Sequence, residues 1–374
     1  MIPYTEEWHK TKMIVTGIAL QNFRVHKNYF LKFTKDTTVI IGDNAIGKTS
    51  IIEAIQLLAT GNSFRAGTIA EMIDFDSELA RVKGVVVDAE STEQQAGLGN
   101  QHRDELEVIL TRGLVNGKRT QHRLFSVNGV RRRKKDAVGK FYTVVFRPED
   151  MRMIEGSPAR RRTFLDTVLC LLYIEYEVAL KNYEQTLKRR NKLLQQIKDN
   201  QQPRTVLQYW DLSLVKYGEV LQKKRAEFLQ TFATVSFPIQ FSVEYDPSLI
   251  STQRLAEYKE KEILVGHTLI GPHKDDIVVY LNNTKKLRID TFGSRGQQRL
   301  AVLWLKFCEL EFLQQHSQTK TILLLDDILS ELDDNSKSLA LSVLEKYQAI
   351  VTTTEHSVLA DIKQVTQNIE VVYL

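Results

Sequence analysis

The stretch Gly42–Thr49, "GDNAIGKT", constrains this chain more than any other. It matches G-x-x-x-x-G-K-S/T, follows the β-branched run "TTVII", and opens "GKTSIIEAIQLLA", where Ile51, Ile52, Ile55 and Leu58/Ala59 recur at helical spacing. Strand, loop and helix in that order let the loop's N–H groups turn inward around phosphate oxygens. The helix N-terminus adds partial positive charge. The expected ATP-binding residues are Gly42, Asp43, Asn44, Ala45, Ile46, Gly47, Lys48 and Thr49. Lys48 reaches the β- and γ-phosphates, and the Thr49 hydroxyl ligates Mg²⁺. ATP and Mg²⁺ are thus the expected cofactors. The fold class follows: α/β, with the loop at the end of a parallel strand.

Far downstream, "TILLLDD" reads as a buried parallel strand ending in two acids, Asp326 and Asp327. Asp326 at the strand end holds the metal through water. Asp327, one residue on, faces the γ-phosphate and takes a proton from the attacking water. Lys48, Asp326 and Asp327 form the expected catalytic set. An apolar run ending in Asp is weak evidence alone and gains weight from the phosphate loop. Two further motifs flank the acids: "FGSRGQQR" (Phe292–Arg299) before them and "LSELDD" (Leu329–Asp334) after. At a helix start, the Ser294 hydroxyl and the Gly296 amide are donors to an anion, with Gln297 next to them. A plain helix cap is the competing interpretation of that turn.

The rest of the chain supplies the scaffold. Alternating runs at "MIVTGIALQNF", "NYFLKFTKDTTVIIG", "ARVKGVVVDA", "ELEVILTRG" and "HRLFSVNGV" predict strands, with a tight turn at Asn128-Gly129. The polar stretch "ESTEQQAGLGNQHRDE" predicts a surface loop. Beyond Phe164 the period changes. Tyr173, Tyr176, Leu180, Tyr183, Leu187, Leu194 and Ile197 form one stripe, interrupted by Arg190. Leu207, Trp210, Leu214, Tyr217, Leu221, Phe228 and Val235 form a second, interrupted by Lys224. A Pro-containing break between them predicts an antiparallel helical hairpin, each arm of roughly 27 residues and about 40 Å. It could be a bundle core, but its polar outer faces favour an arm. A helix at Gln297–Leu313, one near Lys337–Tyr347 and a strand at "AIVTTT" complete a parallel α/β ending.

No run approaches the ~20 apolar residues of a membrane span, so no membrane partner is expected. Two distant cysteines, Cys170 and Cys308, suit a reduced, cytoplasmic setting without disulfides or zinc. Residues 1–12 read as an extension before the structural start at Met13. The net charge of +5 is weak evidence for nucleic acid, but the clustering says more. Basic runs occur at Arg131–Lys135 (Arg131, Arg132, Arg133 and Lys134 leading), Arg160–Arg162, Lys188–Arg190 and Lys223–Arg225. Lys188, Arg189, Lys223 and Lys224 fall on the helical hairpin. Each run reads equally as a solvated face or as a contact to DNA phosphates, which carry no sequence information.

Phosphate loop, long insertion, Ser-x-Gly-Gln, apolar-Asp-acid and Ser-Glu-Leu-Asp together resemble the ABC-type ATPase heads of the SMC class. The hairpin is far shorter than an SMC coiled coil. Within that class the chain resembles the RecF family from Met13 onward, through "LQNFR", "GNSFR", "FRPEDM", "GSPARRRTFLD", "GPHKDD" and "GQQR". The resemblance implies a head at 13–165 and 239–374 with a helical arm inserted at 166–238. It adds Arg24 of "LQNFR" to the ATP-binding residues. It implies an ATP-dependent homodimer in which each Ser294 segment caps the γ-phosphate on the partner's Lys48 loop, and slow DNA-stimulated hydrolysis. It implies duplex and gapped DNA as ligand, RecR and RecO-like mediators as partners, and a role in recombinational repair and replication restart.

The sequence departs from such heads in places. Ala45 stands where Gly is frequent, Ser50 where Asn is, and Asp327 where SMC heads have Glu. Thr352–Thr354, with His356 nearby, occupy the place of a switch histidine. An ATPase module of an overcoming-lysogenization type nuclease system is the alternative. Such systems carry a metal-dependent nuclease domain after the ATPase; none is expected in the short stretch after "SELD", and a separate partner chain is the remaining source of one.

Overall fold

A computed structural model of the chain describes residues 13–88, 103–282, 286–317 and 321–374. The expected extension at 1–12 lies outside the described residues. So does the expected polar loop up to residue 102, whose last residues, from Arg103, belong to a strand instead. Two compact units emerge: Met1–Asp150 with Leu313–Leu374, and Met151–Phe312.

Among the described residues, the first unit holds two large sheets and a two-stranded ribbon. The antiparallel one contains β1 (Met13–Phe23), β2 (His26–Lys32), β4 (Leu79–Asp88), β5 (Arg103–Thr111), β8 (Arg123–Val127) and β9 (Val130–Arg132), in the order β2-β1-β4-β5-β8-β9. Strict alternation of buried and half-exposed positions along β4 and β5 gives it one inward face. Asn128 (φ 54°) and Gly129 (φ 75°) form the tight turn between β8 and β9, as that dipeptide predicts. A second Asn-Gly turn, at 116–117, closes a short ribbon of β6 (Leu114–Val115) and β7 (Lys118–Arg119).

The other sheet is wholly parallel, in the order β10-β14-β15-β3-β16. Its strands are β3 (Thr37–Ile41), β10 (Tyr142–Phe146), β14 (Thr321–Asp326), β15 (Ala349–Thr353) and β16 (Ile369–Tyr373). Every residue of β3, β14 and β15 is buried, which explains their unbroken apolar character. The run read as one strand from Asn28 to Gly42 is two, β2 and β3, in different sheets. Helix α1 (Lys48–Thr60) touches strands of both sheets, so Ile51, Ile52, Ala54, Ile55, Leu57 and Leu58 are buried around its whole circumference.

The second unit is built on α2 (Pro158–Leu172), α3 (Ile174–Lys198), α4 (Gln208–Gln230), α5 (Thr252–Val265) and most of α6 (Arg295–His316). A small sheet of β11 (Phe241–Asp246), β12 (Asp276–Asn282) and β13 (Lys286–Arg288) joins them. Ion pairs fix the direction of α3 against α4: Glu175 meets Lys224 at 3.2 Å and Arg190 meets Asp211 at 2.7 Å. Rising numbers on one helix face falling numbers on the other, which is the expected antiparallel hairpin. Tyr176, Tyr183, Leu194 and Ile197 pack inward from α3, and Leu214, Leu221 and Phe228 from α4. Phe228 extends this core to Phe164, Phe232 and Phe312.

The helix expected near Lys337–Tyr347 is α7 (Asp334–Leu341). Asp333 fixes its start by accepting the Ser336 N–H at 3.0 Å, earlier than the apolar rhythm suggested. α8 (His356–Val365) follows. No helix among the described residues is long and apolar enough to cross a membrane.

Candidate nucleotide site

β3 ends at Ile41 and α1 begins at Lys48, so residues 42–47 must reverse direction in six positions. Two of them take the left-handed backbone region: Gly47 (φ 117°) and Ala45 (φ 67°). Gly47 has no alternative, because a Cβ there would lie 2.5 Å from His26 Nε2 and 2.8 Å from Val25 Cγ2. Ala45 bears the cost of an L-residue in that region, about 1–2 kcal/mol. The loop wraps the Lys48 ammonium, which donates to the carbonyls of Gly42 (2.7 Å) and Asp43 (2.9 Å). Asp43, Asn44, Ala45 and Ile46 stay exposed on its rim.

β14 carries Asp326 at its last position, separated from the loop strand by β15 alone. Thr49 Oγ1 donates to Asp326 Oδ1 at 3.0 Å, and Thr352 Oγ1 donates to the same oxygen at 2.9 Å. Burial pushes the Asp326 carboxyl up from the usual aspartate range. The charges of Asp327 and Glu149 push the same way, against the two threonine hydrogen bonds. A hard cation needing oxygen ligands would relieve that buried charge, so the donor set fits Mg²⁺.

Asp327 leaves the strand in the left-handed region (φ 52°), with its N–H donating to the Thr352 carbonyl at 3.1 Å. Its Oδ1 is buried without a hydrogen-bond partner among the described residues. Such an oxygen is costly to keep and available to accept a proton. Of the switch candidates, Thr352 touches the acids. His356 opens α8 beside Tyr373, with ring centroids 6.2 Å apart.

Arg24 (φ 54°) grips Glu53 of α1 through Nε (2.8 Å) and Nη2 (2.7 Å) and donates through Nη1 to the Glu71 carbonyl. Glu53 is fully buried and also accepts from Ser63 of "GNSFR", with Arg65 3.7 Å away. These two landmark segments therefore converge on one buried carboxylate five residues along the phosphate-loop helix. Sequence reasoning missed Glu53, because an acid inside an apolar helical run carries no signal of its partners. It also missed His26, whose Nε2 donates to the Gly47 carbonyl at 3.1 Å.

In the second unit, Ser294 and Gln297 form a reciprocal cap at the start of α6. Ser294 N–H donates to Gln297 Oε1 (2.9 Å) and Gln297 N–H to Ser294 Oγ (3.3 Å). That leaves the Ser294 O–H proton as a donor on an exposed residue, and nothing lies within 4 Å of where a Gly296 side chain would start.

The basic runs divide. Arg131, Arg132 and Arg133 are exposed, and Lys134 lays its stem over Gly61 at the end of α1. Between Gly113 and Lys135 there are eight Lys/Arg and no Asp or Glu, so β7 of the ribbon and β9 each expose only positive charge. Lys188, Arg189 and Lys223 are exposed, whereas Lys224 pairs with Glu175 and Glu227. Arg161, Arg190 and Arg225 turn inward instead. Arg161 pairs with Asp276, Arg190 with Asp211 and Glu262, and Arg225 with Asp166 and Asp275.

A phosphate loop on one buried parallel strand, a metal-competent acid on the next strand but one, and an antiparallel sheet over the loop helix define an ABC-type ATPase head. The family model described as RecF/RecN/SMC N terminal domain matches residues 14–372. The chain is 33% identical to the DNA replication and repair protein RecF of Lachnoclostridium phytofermentans, over 91% of this chain and 93% of that one. It is also 33% identical to the Bacillus cereus protein of that name, covering 94% and 96%. A solved structure of the recombination mediator protein RecF-ATPrS in the RecFOR pathway superposes with a TM-score of 0.81 at 29% identity, covering 98% of this chain and 97% of the other. A RecF-ATP structure of the same pathway gives 0.78 at 30%, covering 94% and 95%. The chain belongs to the RecF family.

Proposed function

We propose that this protein is an ATP-switched DNA-binding factor of recombinational repair and replication restart. The hydrogen bond from Thr49 to Asp326 carries the reading, because it joins the loop's metal-ligating hydroxyl to the acid that would hold the same Mg²⁺. ATP bound at residues 42–49 recruits a second copy, whose exposed Ser294 hydroxyl and Gly296 amide cap the γ-phosphate. A two-fold arrangement then buries two nucleotides. Asp327 accepts the proton of the attacking water, and hydrolysis removes the fastener. Arg24 acts through Glu53, holding α1, rather than as a direct phosphate ligand.

The basic residues at 113–135 on the first unit and, separately, Lys188, Arg189 and Lys223 on the second neutralise duplex phosphates near single-strand gaps without reading bases. The pathway named for the solved relatives supports RecR and RecO-like mediators as partners in loading recombinase. Sedimentation and duplex binding, measured together with ATP, with ADP and without nucleotide, test the whole. ATP should raise both the dimer fraction and the DNA affinity, and Lys48→Ala should remove both effects. An unchanged monomer under all three conditions overturns the reading.

A further inference from the structure

Three exposed apolar side chains border the two halves of the proposed ATP sandwich. Phe292 is 68% exposed and ends the one-turn helix Ile289–Phe292, two residues before Ser294. Val25 is 58% exposed and Ile46 39%. Ile46 belongs to the phosphate loop and Val25, in the β1–β2 turn, borders it: Val25 Cγ2 is 2.8 Å from where a Gly47 side chain would start, and Ile46 Cγ2 is 3.2 Å from that point at Gly42. A phosphate-binding rim has no use for exposed aliphatic surface unless something covers it. Charge runs the same way, with exposed Asp43 on the loop side and exposed Arg295 on the signature side.

We infer that Phe292 of one copy packs on Val25 and Ile46 of a second copy, with Arg295 reaching Asp43. The occupant of the loop's apolar rim is thus a second copy of this chain. The inference rests on the ATP-dimer reading and adds an apolar anchor to a contact otherwise made through phosphate alone. Because a two-fold dimer repeats the contact, every substitution acts twice. An aromatic anchor seated beside a desolvated polar centre is the arrangement in which truncation costs most.

The test uses the full chain with a non-hydrolysable ATP analogue. Phe292→Ser should weaken dimerisation about a hundredfold, about tenfold for each of the two contacts. ATP binding by the monomer, read with a fluorescent analogue, should be unchanged. Val25→Ser should do the same, and the double variant should be little worse than either single one. In a Cys170→Ser background, Val25→Cys chains mixed with Phe292→Cys chains should cross-link through a short bismaleimide only when the nucleotide is present. Cys308 is fully buried and stays silent. A Phe292→Ser chain that dimerises like wild type, or no cross-link between dimerised copies, overturns the inference. So does a Val25→Ser chain whose monomer loses ATP affinity, since the rim would then seat the nucleotide's own base. Failure of wild-type dimerisation strikes the parent reading instead. Loss of the dimer in Ser294→Arg but not in Phe292→Ser strikes this inference alone.

Discussion

Thr49 and Asp326, 277 residues apart in sequence, share a hydrogen bond of 3.0 Å at the mouth of the parallel sheet. Thr352 donates to the same carboxylate oxygen at 2.9 Å, so Asp326 is held from two strands and by the loop helix. A ligand fixed this way needs no reorganisation when the metal arrives.

The first prediction concerns that carboxylate and pH. Burial raises its pKa, so on acidification it protonates before an ordinary aspartate does. Mg²⁺ needs the ionised form, so Mg²⁺-dependent ATP affinity should begin to fall at a pH above the normal aspartate range. The sign for stability is the same as for any raised acid: its neutral form favours the fold, and that contribution is lost as pH rises through the folded pKa. Asp326→Asn should flatten the affinity profile and reduce Mg²⁺-dependent binding by roughly 10–100-fold. Nucleotide titrations across pH in both proteins check it.

Ala45 gives a second. Its φ of 67° belongs to the region that glycine visits freely. Ala45→Gly removes about 1–2 kcal/mol of strain and costs up to about 1 kcal/mol through the looser unfolded chain, leaving a net gain of roughly 0.5 kcal/mol. Ala45→Val puts a β-branched residue there and should destabilise by more than about 1 kcal/mol. Denaturant midpoints at constant m-value decide.

Much of this was readable in advance, and the gaps have physical causes. The phosphate loop, the two acids and the Ser-x-Gly-Gln turn are local patterns whose backbone chemistry travels with the sequence. The hairpin of α3 and α4 was legible because an apolar stripe at helical spacing has few other uses. The split of one apparent strand into β2 and β3 was not, since the β-forming residues run on through the polar stretch between them, and only the structure shows β2 partly exposed and β3 wholly buried. Nor was the fate of Arg190, which interrupts the stripe and sits in a run of three cations. Only Asp211 and Glu262, distant in sequence, convert that interruption into a buried pair. Charge runs report composition, whereas burial of a charge depends on partners the run does not contain.

Arg190 and Arg189 therefore form a matched pair for a third prediction. Arg190 is fully buried between two carboxylates and donates to Thr268 at 2.8 Å. Arg190→Ala leaves Glu262 charged and uncompensated, and should cost about 3–5 kcal/mol. Arg189 is exposed, its guanidinium 6.0 Å over the Trp210 ring. Arg189→Ala should change stability by less than about 0.5 kcal/mol. It should weaken duplex binding uniformly across sequences and lower the salt slope by roughly one. Thermal unfolding and salt-dependent DNA titrations separate the two neighbours.

Asp327 carries a fourth. Its unpartnered buried oxygen and left-handed backbone (φ 52°) are features that Asn tolerates sterically. Asp327→Asn should keep ATP binding and nucleotide-dependent dimerisation while lowering kcat by about 10²–10⁴-fold, the range for losing a general base. A dimer that persists through ATP addition in the variant but decays in the parent chain, followed by light scattering, is the expected outcome. Equal decay in both removes Asp327 from the chemistry.

The fifth lies in the second unit. His273 Nδ1 lies 2.8 Å from the Tyr183 hydroxyl and its Nε2 donates to the Thr268 carbonyl (3.2 Å), so the neutral ring is satisfied with Nδ1 accepting the hydroxyl proton. Burial first, then the nearby positive charges of Lys274, Arg162 and Arg190, lower its pKa from 6.5 to about 4. The unfolded chain therefore takes up a proton near pH 6.5 that the folded chain refuses until about 4. Stability is full above that window and falls on acidification through it, by about 3 kcal/mol in all, from 1.36 kcal/mol per unit. Below the window no further loss comes from this residue. His273→Gln keeps one donor and one acceptor and cannot titrate, so it should be less stable at pH 7.5 yet lose less between pH 6.5 and 4. Denaturant unfolding at those three pH values reads the difference, and parallel losses in the two proteins would show that the ring does not govern the acid limb.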